Sequence, residues 1–223
     1  MSGGADVTAE VGVRRVEVGV RPEREDAAGR RLCRRLRDDL GLRVDEVRLV
    51  DVYTIAADVS RDELDAFATS ALADPVLQVH AIDERLPGAF DWAAEVNLRP
   101  GVTDNVGRTA AEALALQLGR ALREGEGVSY ARQYRFASGP AKPEDRKRLV
   151  EGLLCNLLIE AYRLWEGEGA WFAPFVPRVV LDHEPHVRTW NLDLGDDDVL
   201  KLSRDNVWAL SLPELRAIQA YFE

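Results

Sequence analysis

Three observations predict an α+β fold built from two copies of one unit. The ten residues RPEREDAAGR at 21–30 recur in altered form as RPGVTDNVGR at 99–108, 78 positions further on. Under that shift, ten of the 26 positions between 16–41 and 94–119 are identical, among them Glu17/Glu95, Arg21/Arg99, Pro22/Pro100, Asp26/Asp104, Gly29/Gly107 and Arg30/Arg108. After small insertions DVYTI at 51–55 matches RQYRF at 132–136, and LADPVLQ at 72–78 matches LCNLLIE at 154–160. Self-similarity at a fixed period determines an architecture before any single element does.

Each element of the first unit has a local reason. RRVEVGVR at 14–21 alternates apolar and polar residues, as a half-buried strand does. Pro22 lacks an amide donor and ends it. Asp26 precedes AAGRRLCRRLRDDLG and can accept from the free N–H groups of a helix. Leu32, Leu36 and Leu40 keep the spacing of a buried stripe, and Gly41 suits the left-handed C-terminal cap. A long strand is predicted over 45–59. Ser60 and Glu63 form a capping box that opens a helix over 60–73, and PVLQVHAI at 75–82 closes the unit as a strand.

The second unit repeats the order: strand 91–99, helix 104–120, strand 128–137, helix 143–156 and strand 157–164. LLIEAYRLW would equally continue the helix, and only the repeat argues for a strand there. Strand–helix–strand–helix–strand with mixed sheet edges points to a ferredoxin-like design. The expected division is a flexible N-terminus at 1–13, repeats at 14–83 and 91–164 joined by a connector at 84–90, and a segment 165–223. The two repeats should pack as a pseudo-dimer through their sheets or helix faces. The last segment reads as extended, with a short strand at PRVVLD (177–182), and ends in a helix over 211–222. Ser211 precedes that helix, Pro213 lies in its first turn, and Leu215, Ile218 and Phe222 share a face.

Composition narrows the function classes. The 223 residues carry 39 acidic and 29 basic side chains, a net charge of −10, which disfavours nucleic acid as a partner. RRLCRRLR at 30–37 places Arg30, Arg34 and Arg37 on one helix face, an ordinary solvated face blunted by Asp38, Asp39, Asp45 and Glu46. Two cysteines, the absence of a basic and apolar leader, and no apolar run of about 20 residues lead to the expectation of a cytoplasmic protein with no membrane partner.

RPGVTDNVGRTAAEAL resembles the opening K/R-P-G-v-x-D-x-x-G of the small PurS subunit of phosphoribosylformylglycinamidine synthase. The wider order, two such units followed by ALSLPELRAIQAYF, is similar to the N-terminal part of the large, single-chain form of that enzyme. The resemblance covers residues 14–223, and the first copy departs from it with Glu23 where the second has Gly101. It implies PurS-like repeats followed by a linker domain. This non-catalytic scaffold would bridge an ATP-dependent synthetase and a glutaminase in purine biosynthesis. The reaction converts formylglycinamide ribonucleotide, ATP and glutamine into formylglycinamidine ribonucleotide, ADP, phosphate and glutamate. ATP and magnesium would belong to the partner synthetase, with no cofactor, metal or catalytic residue on this chain. No G-x-x-x-x-G-K-[ST] or G-x-G-x-x-G loop occurs. Cys33 and Cys155 fall on apolar helix stripes, where a thiol is inert.

The residues singled out as an interface or structural motif are Arg21, Asp26, Gly29 and Arg30 with Arg99, Asp104, Gly107 and Arg108. An anion held by a helix N-terminus beside Arg30 or Arg108 is the functional alternative, weakened because Asp26 and Asp104 take the capping place. His183, Glu184 and His186 in HEPH suggest a metal, but Pro185 breaks the helical spacing such a site needs. His80 reads as structural, and DLGDDD at 193–198 as a solvated turn without a calcium loop's spacing. Tyr130, Tyr134 and Phe136 share one strand face, read as core. Two other classes compete with the scaffold. One is a small-molecule sensor built from paired ferredoxin-like domains, and the other a single-stranded RNA binder.

Overall fold

The computed structural model describes residues 12–140, 142–167, 176 and 187–222. It contains two compact units, Met1–Val179 and Val180–Glu223. The first is an α+β unit with one six-stranded sheet. Its elements are β1 (Val13–Val20), α1 (Ala27–Leu40), β2 (Glu46–Ala56), α2 (Arg61–Phe67), β3 (Gln78–Ile82), β4 (Trp92–Leu98), α3 (Asn105–Leu118), β5 (Gly127–Ala137), α4 (Pro143–Leu149) and β6 (Glu160–Glu166). The strand order is β3-β1-β2-β5-β4-β6. Every pairing is antiparallel, so the mixed sheet edges expected from sequence are corrected.

The elements recur at near-constant spacing. α1 and α3 begin at 27 and 105, β2 and β5 at 46 and 127, and α2 and α4 at 61 and 143. Both short helices widen into a π-helical turn, Ala68–Leu72 and Val150–Leu154. β2 and β5 pair along their whole length, so the halves join edge to edge in one sheet. Asp51 lies opposite Arg132 at the middle of this pairing.

Helix ends follow the sequence. Asp26 accepts from the amides of Ala28 and Gly29, and Asp104 from that of Gly107. The Ser60–Glu63 box closes in both directions. Gly41 and Gly119 take the left-handed conformation that ends α1 and α3, which a side chain would resist. Leu32 and Leu36 are buried as expected, but Leu40 on the last turn is half exposed.

The four helices share one face of the sheet, and each core draws on both halves. Val16, Val18, Ile55, Leu64 and Phe67 of the first half pack with Ala110 and Leu114 of α3. Trp92, Ala94, Val96, Phe136 and Leu149 of the second half pack with Leu32 and Leu36 of α1. Each long helix thus lies on its own half's central strand and turns its apolar face into the other half's core. Trp92 and Phe136 stack with ring centroids 3.8 Å apart.

The other face is crossed by the connector. β3 lies at one edge and β4 four strand spacings away, about 19 Å. The connector must therefore run across the sheet, and Leu86 and Phe90 join small apolar clusters there.

The second unit holds two helices among its described residues. α5 (Asp196–Asp205) packs on α6 (Leu212–Phe222) through buried Val199 and Leu215. α5 corrects the expected turn at 193–198: three aspartates occupy its first turn, where negative charge favours a helix N-terminus. Ile218 and Phe222 share a helix face with Leu215 but are exposed. The expected strand at 177–182 and the histidines His183 and His186 lie outside the described residues.

Candidate functional site

The repeated phrase closes the same bonds twice. In the first half the Arg21 amide donates to Leu77 O at 2.9 Å, and its guanidinium donates to Val76 O at 3.2 Å and Pro75 O at 3.0 Å. In the second the Arg99 amide donates to Ile159 O at 2.9 Å and its Nε to Leu157 O at 3.1 Å. The second carboxylate oxygen of Asp26 accepts from Leu49 N at 2.8 Å, and that of Asp104 from Tyr130 N at 2.7 Å. Each aspartate therefore caps a helix and holds it to a central strand.

Gly29 and Gly107 sit where helix and strand come closest. A Cβ on Gly29 would lie 1.7 Å from Val47 O, and one on Gly107 2.5 Å from Val128 O. Arg30 is exposed and pairs with Glu25 at 2.9 Å, and Arg108 is exposed. The eight residues expected to form a motif are brought together as two separate groups, one at the start of α1 and one at the start of α3. Arg21, Asp26, Gly29, Arg99, Asp104 and Gly107 hold turn, helix and strand together, whereas Arg30 and Arg108 lie at the surface.

An ionic network on the connector side of the sheet escaped the sequence reading. Arg15 Nη2 lies 2.6 Å from Glu95 Oε2 and 3.0 Å from Glu17 Oε1. Arg135 Nη2 lies 2.5 Å from Glu17 Oε2, and Gln133 joins Glu95 to Arg135. All five side chains are buried. Glu17 also accepts from Leu86 N and Arg135 donates to Leu86 O, so the network satisfies the polar backbone of the crossing connector. Burial pushes the Arg135 guanidinium down from its ordinary range. Burial acts the same way on Arg15, but the carboxylates of Glu95 and Glu17 outweigh it and the shift is upward. The alternation of β1 placed Arg15 and Glu17 on the polar side without revealing what covers that side. The identity of Glu17 and Glu95 across the repeat was the available signal.

Two small cavities flank this network at equivalent places. One, of about 30 Å³, is lined by Val20, Pro22, Asp26, Arg48 and Arg135. The other, of about 80 Å³, is lined by Thr54, Glu95, Asn97, Arg99, Asp104 and Ser129. Both are far smaller than the roughly 300 Å³ at which metabolite pockets begin. A larger apolar groove of about 790 Å³ lies within the second unit, bounded by Trp190, Trp208, Leu215, Ile218 and Phe222.

Burial raises the thiols of Cys33 and Cys155, so neither is poised as a nucleophile. His80 Nε2 lies 2.9 Å from Asp65 Oδ1 at the sheet edge, a structural pairing. Phe136 is core, whereas Tyr130 and Tyr134 are half-buried; Tyr130 donates to Asp51 at 2.5 Å. Among the described residues no group of three or more His, Cys, Asp or Glu could hold a metal ion, and no helix is long and apolar enough to cross a membrane. No family model matches the chain, and no curated protein shows significant similarity to it.

Proposed function

We propose that the chain is a duplicated ferredoxin-like, PurS-like scaffold followed by a linker domain, serving phosphoribosylformylglycinamidine synthase. In this reading residues 14–83 and 91–164 are two copies of one module that once paired as a homodimer. The chain bridges an ATP-dependent synthetase and a glutaminase without a reaction centre of its own. The observation that carries the reading is the matched recurrence of elements and bonds around the Asp51–Arg132 pair, beside the PurS-like phrase at 99–107. The inert thiols and the wholly structural use of Arg21, Asp26, Arg99 and Asp104 favour a scaffold over a catalyst. The apolar groove at Trp190, Trp208 and Phe222 is the surface assigned to the synthetase partner, since exposed apolar patches of this kind mark interaction sites.

Co-expression with a synthetase and a glutaminase of that enzyme tests the reading. Glutamine-dependent formation of formylglycinamidine ribonucleotide should require this chain, and the chain alone should not turn over ATP. Equal activity without it would refute the proposal.

A further inference from the structure

We infer that the larger of the two small cavities is a seat for a guanidinium group, left open in the second half and filled in the first. The inference goes beyond the scaffold reading and stands on geometry alone. Arg48 and Ser129 occupy the same place in β2 and β5, 81 residues apart. Three independent pairs carry that spacing. The strands start at 46 and 127, Leu49 and Tyr130 donate to the capping aspartates, and Val47 O and Val128 O oppose the helix glycines.

In the first half Arg48 fills the seat. Its Nη1 reaches Val20 O and Arg21 O, each at 3.4 Å. Its Nη2 donates to Pro22 O at 3.1 Å and Arg24 O at 3.2 Å. One planar cation thus satisfies a ring of turn carbonyls. The second half builds the same turn: Val102 N donates to Arg99 O as Arg24 N donates to Arg21 O. Ser129 is too short to reach it, and the cavity grows from about 30 to about 80 Å³.

The walls of the open seat suit a cation that donates in a plane. Leu98, Arg99, Gly101 and Val102 of the turn line it, beside Glu95, whose carboxylate accepts from Arg15 and Gln133. Arg99 does not fill it, since its Nε is spent on Leu157 O. Buried Thr54 completes the wall. An entering guanidinium would find acceptors already arranged, as Arg48 does. The group can come from a free guanidinium compound or from an arginine of a bound polypeptide.

Amide NMR of the full chain, titrated with methylguanidinium chloride in the millimolar range, tests the seat. Saturable shifts confined to Gly101, Val102, Ser129 and their neighbours are expected, with none from urea, the neutral planar counterpart. Ser129→Arg, which places the group in cis, should weaken the response at least tenfold. Arg48→Ser should open a second response at Arg24 and Leu49. A blocked Gly-Gly-Arg-Gly-Gly peptide separates the sources: the same shifts mean that polypeptide arginine enters, and their absence beside a methylguanidinium response restricts the seat to small compounds. Unsaturable shifts, equal shifts with urea, or an unchanged response in Ser129→Arg would overturn the inference.

Discussion

Arg132 Nη2 lies 3.0 Å from Asp51 Oδ1 at the middle of the central strand pair, and the two residues hold the same place in their respective halves. In a dimer of identical chains such a position faces its own copy, so an acid would meet an acid. Joining the halves in one chain lets the two differ and attract. Tyr130 OH adds a third partner by donating to the same carboxylate oxygen.

Reversing either charge should therefore destabilise the fold, and reversing both should recover part of the loss. Asp51→Arg places like charges opposite each other, at a cost of about 1 kcal/mol for a half-exposed cross-strand pair. Urea titration of Asp51→Arg, Arg132→Asp and the double variant gives the coupling directly. Strict additivity would show that the pair is incidental.

The helix glycines should tolerate no side chain. Gly29→Ala brings a methyl against Val47 O and should cost about 3 kcal/mol, the upper end for overpacking. Gly107→Ala has more room and should cost less. Equilibrium denaturation ranks the two, and a neutral Gly29→Ala would mean that the helix can lift off the strand cheaply.

Glu17 anchors two arginines and the connector, so its removal leaves buried charge uncompensated. Glu17→Ala should cost about 3 to 5 kcal/mol. Replacing Glu17 and Arg135 together by methionine should cost less than removing Glu17 alone. Thermal melts of the three proteins decide it.

Acid should loosen the loop that enters β5. Arg120 donates to both Glu126 oxygens at 2.7 and 3.0 Å, and the amides of Arg123 and Asp58 add two further bonds. Together they hold the carboxyl down at about 2, below its ordinary value of 4.5. A carboxyl depressed by folding contributes stability that is present above its unfolded pKa and lost as pH falls through the folded one. Stability should drop between about pH 4.5 and 2, and Glu126→Gln should flatten that limb while lowering stability at neutral pH.

Local chemistry was legible in the sequence, and its surroundings were not. Asp26, Ser60 and Gly41 announced helix ends because capping is decided within a few residues. The strand at Glu160–Glu166 followed from the repeat alone, since its own apolar run suited a helix equally well. α5 was missed because Asp196, Asp197 and Asp198 read as a solvated turn, although acids at a helix start are favourable. The alternation of β1 marked one face as polar, but it could not show that a connector crosses that face and buries Arg15 and Glu17. That α1 and α3 each turn their apolar face into the other half's core depends on strand order, which a repeat does not specify.

That sharing of the long helices is the claim on which the account stands, and fragment complementation tests it most directly. Residues 12–90 and 91–167, produced separately, should each lack a cooperative melt, because each has strands whose core needs the other's long helix. Mixed one to one, they should recover the circular dichroism and a single cooperative transition. A fragment that folds alone as a stable monomer would contradict the shared cores and the pseudo-dimer built on them.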